Sequence, residues 1–232
     1  MPPAHAAALR ALVTQRFPDA LAAPYWSRGI VATGLAALDR ILPNGGFQRG
    51  RLAAWEPGTG TVALLRSAAL HATADGERTA WITTGGRLAP AGAGWHAGPL
   101  LLSSPGPLAG FRAAETLARS GGFAFVVVDG AEPDPAAAVR LSRAAHEGGA
   151  ALVLVARRSP VASLRLESRA LPQACGWQDR LGEPGAVRSV RVRVTARGSG
   201  WLAAAELVLP VWHDDRRLSH EPRHPDRRGE RR

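Results

Sequence analysis

Residues 55–62 read W-E-P-G-T-G-T-V, and against the phosphate-loop pattern G-x-x-x-x-G-K-[ST] only Gly60 falls on a required type. Trp55 stands at the first glycine, Thr61 at the lysine and Val62 at the Ser/Thr that holds Mg²⁺. Such a loop works because backbone N–H groups cradle phosphates, a lysine reaches the β/γ-phosphates and a hydroxyl takes the metal. Here the cation and the metal-binding hydroxyl are both missing. All 29 basic residues are arginine, so no lysine from elsewhere in the chain can stand in. The indole of Trp55 is expected to fill the space a phosphate loop leaves open. Asp129, closing the apolar run F-A-F-V-V-V-D, is the carboxylate that would face a bound Mg²⁺. Without a metal partner its expected role is to cap or hydrogen-bond the altered loop. No cofactor and no metal are expected.

Other constellations carry less chemistry. Seven scattered histidines and one cysteine, Cys175, offer no nucleophile–base–orienter arrangement. His220-x₃-His224 has ligand spacing but lies among charged residues near the end of the chain. Arg188, Arg191, Arg193 and Arg197 lie along one basic strand, where Arg191 and Arg193 alternate with valines, and could track a phosphate backbone; a solvated sheet face would explain them equally well. Leu9, Leu12, Val13 and Phe17 form a narrow apolar stripe at helical spacing, and Tyr25 with Trp26 follows on a Pro-flanked segment. Stripe and aromatic pair together are the expected partner-binding element, since aromatics and Arg are enriched among interface hot spots.

The chain has 232 residues, 46% hydrophobic and 21% charged, which suits one domain with a full core and appended termini. A net charge of +10 suits a polyanion or an acidic protein as partner. A single cysteine excludes an internal disulfide and fits a reducing cytoplasm. Arg10, Arg16 and Asp19 interrupt the N-terminal apolar residues, and no run approaches the ~18 that cross a bilayer, so neither a signal peptide nor a membrane association is expected.

These residues are positioned by an alternating pattern. Strands are expected at 52–55, 79–84, 100–104, 123–129 and 151–156, with helices over 61–74, 108–119 and 135–146 between them. Leu108, Phe111 and Ala118 are expected on the buried face of the second of those helices. From Leu164 the period changes to two: Leu164 and Leu166 alternate with Arg165 and Glu167, and Val190, Val192 and Val194 alternate with arginines. Strands alternating with helices and then strands alone predict an α/β fold, a mostly parallel sheet flanked by helices with antiparallel strands appended. Three regions follow: an N-terminal helix and arm over 1–28, a core over 29–212, and an Arg/Pro-rich tail over 213–232 expected to be disordered.

The order of pieces resembles the RecA recombinase core, a P-loop NTPase fold, over roughly residues 6–210. The stretch A-A-L-R-A-L-V-T-Q-R-F from Ala7 resembles its N-terminal helix. T-G-L-A-A-L-D-R-I-L-P-N-G-G-F-Q-R-G-R-L, from Thr33, resembles the lead into its phosphate loop. L-L-S-S-P-G, then A-A-E-T-L-A-R-S-G-G-F-A-F-V-V-V-D, and finally A-S-L-R-L-E-S-R follow in the family's order. The departures bear on function. Gly85 stands at the catalytic Glu and Arg157 at the nucleotide-sensing Gln. Only about five residues separate Asp129 from the helix at Pro135, and Arg158 runs almost directly into Val161, so both DNA-binding loops are missing.

A short, degenerate RecA-like chain with a basic tail resembles the ImuA group of RecA/SulA-like proteins. That resemblance implies a non-catalytic role in DNA repair by translesion synthesis, in SOS-type induced mutagenesis. The implied partners are an ImuB-type Y-family polymerase-like protein and a DnaE-type error-prone polymerase, with RecA or self-association possible and weak non-specific DNA contact. Two other classes stay open: a nucleotide-dependent RecA-like recombinase or regulator with a relocated site, and a plain nucleic-acid-binding module.

Overall fold

The computed structural model describes residues 29–84, 98–157, 159–180 and 183–211. It opens with β1 (Ile30–Val31), the short helix α1 (Ala36–Asp39), a 3₁₀ turn (Pro43–Gly45) and β2 (Phe47–Gln48). β1 and β2 pair antiparallel as a small two-stranded sheet. The lead-in is tied locally: the N–H and hydroxyl of buried Thr33 both donate to Asp39 Oδ1, at 2.9 and 2.8 Å.

β3 (Leu52–Trp55), α2 (Thr61–Ala74), β4 (Thr79–Thr84), β5 (Leu100–Ser104), α3 (Pro107–Arg119), β6 (Phe125–Asp129), α4 (Pro135–Gly148) and β7 (Ala151–Val155) follow as alternating units. β8 (Leu164–Arg180), β9 (Glu183–Gly198) and β10 (Trp201–Pro210) complete one eight-stranded sheet. Its order is β10-β9-β8-β3-β7-β6-β4-β5. β3 pairs parallel with β7 on one side and β8 on the other, while β9 runs antiparallel to both β8 and β10. The sheet is therefore mostly parallel, with β9 the strand that reverses.

The central strands are apolar on both faces because helices cover both. Trp55, Trp81, Phe125, Val127 and Val153 face α2, where Leu64, Leu65, Ala68 and Ala72 are buried. Ile82, Val126, Val128, Leu152 and Leu154 face α3 and α4. The helix starts are set by residue type. Pro107 and Pro135 occupy first-turn positions, and the Asp134 carboxylate caps α4 by accepting the Ala137 N–H at 2.6 Å.

Two expectations on element faces and lengths are corrected. Leu108 is 58% exposed, because the buried stripe of α3 centres on Ala114 and Ala118 and Leu108 lies roughly 100° round the helix from it. The period-two segments are longer than expected: β8 and β9 form a ribbon running past the end of β3, with register shifts after Ala170. The arm over 1–28 and the tail over 213–232 lie outside the described residues.

Candidate functional site

The altered loop bridges β3 and α2 at the carboxyl end of the sheet, beside a strand with neighbours on both sides. In open α/β sheets this is where ligands bind. Its geometry is closed. Thr61, 1% exposed, donates its hydroxyl to Glu56 O at 3.1 Å and accepts the Gly58 N–H at 3.1 Å. The Ser168 hydroxyl of β8 lies 2.8 Å from the same oxygen. Since Thr61 already donates to Glu56, Ser168 supplies the proton in that bond. A hydroxyl has one donor and two acceptor sites, so Thr61 is saturated by protein groups.

The loop backbone is also covered. A Cβ on Gly58 would overlap the Ser168 carbonyl, and one on Gly60 would come within 2.5 Å of Leu209 Cδ1 and 3.4 Å of Val192. The roof comes from the inward face of β8, β9 and β10, whose small or apolar residues Ser168, Val192 and Leu209 let the strands settle onto the loop. Glu56 N–H donates to Leu166 O at 2.8 Å, extending β8's pairing into the loop itself.

Trp55 lies elsewhere than expected. It is fully buried in the core under α2, tilted against Phe47 with ring centroids 6.3 Å apart, and its Nε1 has no partner among the described residues. It packs beneath the loop, and the atoms above the loop belong to Ser168, Val192 and Leu209. Val62, at the hydroxyl position, is 49% exposed and carries no hydroxyl.

Asp129 ends β6, half-buried, opposite Thr83 on β4. Burial raises its carboxyl above the ordinary carboxylate range, opposed by a hydrogen bond from the Gly130 backbone N–H. Its backbone carbonyl accepts from the Thr84 hydroxyl at 3.0 Å. The expected bond from its carboxylate to the altered loop is not formed, since β7 lies between β6 and β3. Thr83 Oγ1, beside it in register, is buried without a partner among the described residues. Among the described residues no group of three or more His, Cys, Asp or Glu could hold a metal.

The four arginines of β9 are not equivalent. Arg193 grips Glu206 of β10 with two bonds, at 2.7 and 3.2 Å, and Arg191 lies 3.9 Å from the same carboxylate. Arg197 sits directly opposite Arg165 of β8, and Arg188 is exposed on the ribbon. Arg169 on β8 is paired with Glu167. The outward face of β8–β10 is thus basic but partly neutralised. Sequence reading missed Ser168, Arg165 and Ser159. Ser168 had a visible signal, a polar residue at an inward position of the alternation Leu164, Leu166, Ser168.

Leu9, Leu12, Val13, Phe17, Tyr25 and Trp26 lie outside the described residues, as do Gly85, Arg158, His220 and His224. No protein-family model and no curated protein matches this chain.

Proposed function

We propose that this chain is a RecA-like pseudo-ATPase serving as a non-catalytic adaptor in DNA-damage-induced mutagenesis. Its partners in this reading are an ImuB-type Y-family polymerase-like protein and a DnaE-type error-prone polymerase. The observation that carries the first half is the saturated Thr61 hydroxyl. At the position of a phosphate-binding lysine stands a buried group whose three hydrogen-bonding sites are taken by Glu56, Gly58 and Ser168. The Gly58 N–H, which a phosphate loop would offer its ligand, is bonded to the same hydroxyl. The parallel order around β3 with a loop at its carboxyl end supports the RecA-like reading. The adaptor role rests on the ordered motifs of the sequence.

Calorimetric titration with ATP and Mg²⁺ tests the first half and should give no heat of binding; micromolar affinity would sink it. Thr61→Lys should not create a site. It places an ammonium in the sealed pocket and should lower stability by about 3–5 kcal/mol, the cost of an uncompensated buried charge. Affinity purification from DNA-damaged cells tests the second half, with recovery of both polymerase-type partners expected. The second reading, a weak non-specific DNA binder, is favoured by the basic face of β8–β9.

A further inference from the structure

Closure of the loop removes one of the two openings at the carboxyl end of β3. The other lies on the opposite face of the sheet, where Ala54 and Ala156 are too small to fill the space above β3 and β7. It is a cleft of about 120 Å³ bordered by Arg157, Ser159, Arg165 and Arg197, with Glu56 and Glu167 also on its wall.

Two observations show that its polar groups lack partners. Arg165 and Arg197 are directly opposite in the β8–β9 register, an arrangement of like charges that destabilises a sheet unless something sits between them. Arg169, Arg191 and Arg193 have acids, Arg169 with Glu167 and the other two with Glu206. Among the described residues neither Arg165 nor Arg197 has an ion pair; Arg165 only donates to the Ser159 carbonyl at 3.4 Å. Independently, Ser159 is 4% exposed and its hydroxyl bonds to nothing among the described residues. A buried hydroxyl without a partner costs about 1–3 kcal/mol, and a ligand that takes the bond recovers it.

We propose that this cleft binds a side-chain carboxylate from an acidic segment of a partner protein. The volume falls well below the roughly 300 Å³ at which small-molecule sites begin, which fits one functional group and not a nucleotide. Glu167 is already held by Arg169, so the three guanidiniums face one free carboxylate on the wall, Glu56, and the excess positive charge calls for an anion. The planar guanidinium fork pairs with a carboxylate through two parallel bonds, and Ser159 donates a third. The site goes beyond the adaptor reading and rests on it only for the source of the carboxylate.

The experiment measures fluorescence anisotropy of labelled hexaglutamate with the full chain at low salt, with a hexathymidylate single strand of similar charge as comparison. Hexaglutamate should bind the more tightly. Arg165→Gln with Arg197→Gln should weaken it about 10-fold or more, as expected for lost charge-assisted bidentate bonds. Arg78→Gln with Arg112→Gln removes the same charge from exposed positions elsewhere and should change it by less than about 2-fold. Ser159→Ala should weaken binding about 3-fold or more without lowering the melting temperature, because the hydroxyl it deletes has no bond among the described residues. If the double glutamine variant fails to fold, Arg165→Lys with Arg197→Lys keeps the charge and removes the fork, and should still lose affinity. The proposal is overturned if hexaglutamate does not bind, if the distant pair matters as much, or if hexathymidylate binds more tightly through the same residues. None of these results touches the purification of polymerase-type partners, so the two readings fail separately.

Discussion

Thr61 and Asp129 show how two residues at expected nucleotide-site positions come to hold structure. Thr61 joins three segments, since its oxygen meets Glu56 and Gly58 of the loop and Ser168 of β8. Among the described residues no cation pairs with Asp129, and burial raises its carboxyl above the ordinary range. The folded protein therefore holds that proton more tightly than the unfolded chain does. Its contribution to stability is present at pH below the ordinary carboxylate range and is lost as pH rises through the raised value. Asp129→Asn removes the charge and keeps an oxygen for the Gly130 N–H. It should raise the melting temperature at about pH 7, with the gain shrinking toward about pH 3. A variant less stable than the parent at neutral pH would show instead that the charge has a favourable partner. The sequence already showed that the loop lacked its lysine and metal hydroxyl, because those are matters of residue type. It did not show that Thr61 would be roofed, because the bond to Ser168 spans 107 positions and depends on the register of β8 on β3.

At the scale of elements, the helices and parallel strands were readable because each has a strong period and a marked boundary. Pro107, Pro135 and Asp134 start helices, and Gly149 in the left-handed region at φ 72 ends one. The β8–β9 ribbon was less readable, because its alternation fails between Ala170 and Cys175, where the register shifts. The packing of α3 against α4 was not readable at all. There the last residue of α4, Gly148, lies so close to the end of α3 that a Cβ would overlap the Ala118 carbonyl. Exposed ion pairs from Arg119 to Glu115 and Glu147 run over the same contact, and Arg119 with Arg143 holds the Glu147 carboxyl below the ordinary range. The obstacle at Gly148 is backbone, so no rotamer change relieves it. Gly148→Ala should force the two helices apart and destabilise by about 2–4 kcal/mol, in the range of overpacked cores and strained backbone. A denaturant midpoint close to the parent's would mean that the helix ends shift freely.

For the whole molecule the question is how much of the net charge of +10 can meet a polyanion. Counting arginines overstates it, because a guanidinium held by a carboxylate neutralises no phosphate and so releases none of the nucleic acid's counterions. Arg193 is fixed to Glu206 by two bonds across β9 and β10, whereas Arg188 is exposed on the ribbon with no ion pair among the described residues. If weak DNA contact uses the β8–β10 ribbon, the two arginines must contribute differently although they lie five residues apart on one strand. Each phosphate neutralised on a single strand contributes about 0.7 to the slope of log affinity against log salt. Arg188→Gln in the full chain should therefore flatten that slope by about 0.7, and Arg193→Gln should leave it within about 0.2 of the parent. Removing Arg193 frees Glu206, so affinity itself should fall uniformly through repulsion while the slope holds. Equal flattening by both variants would show that DNA displaces the Arg193–Glu206 pair, and the basic face would then be a larger phosphate-binding surface than its ion pairs indicate.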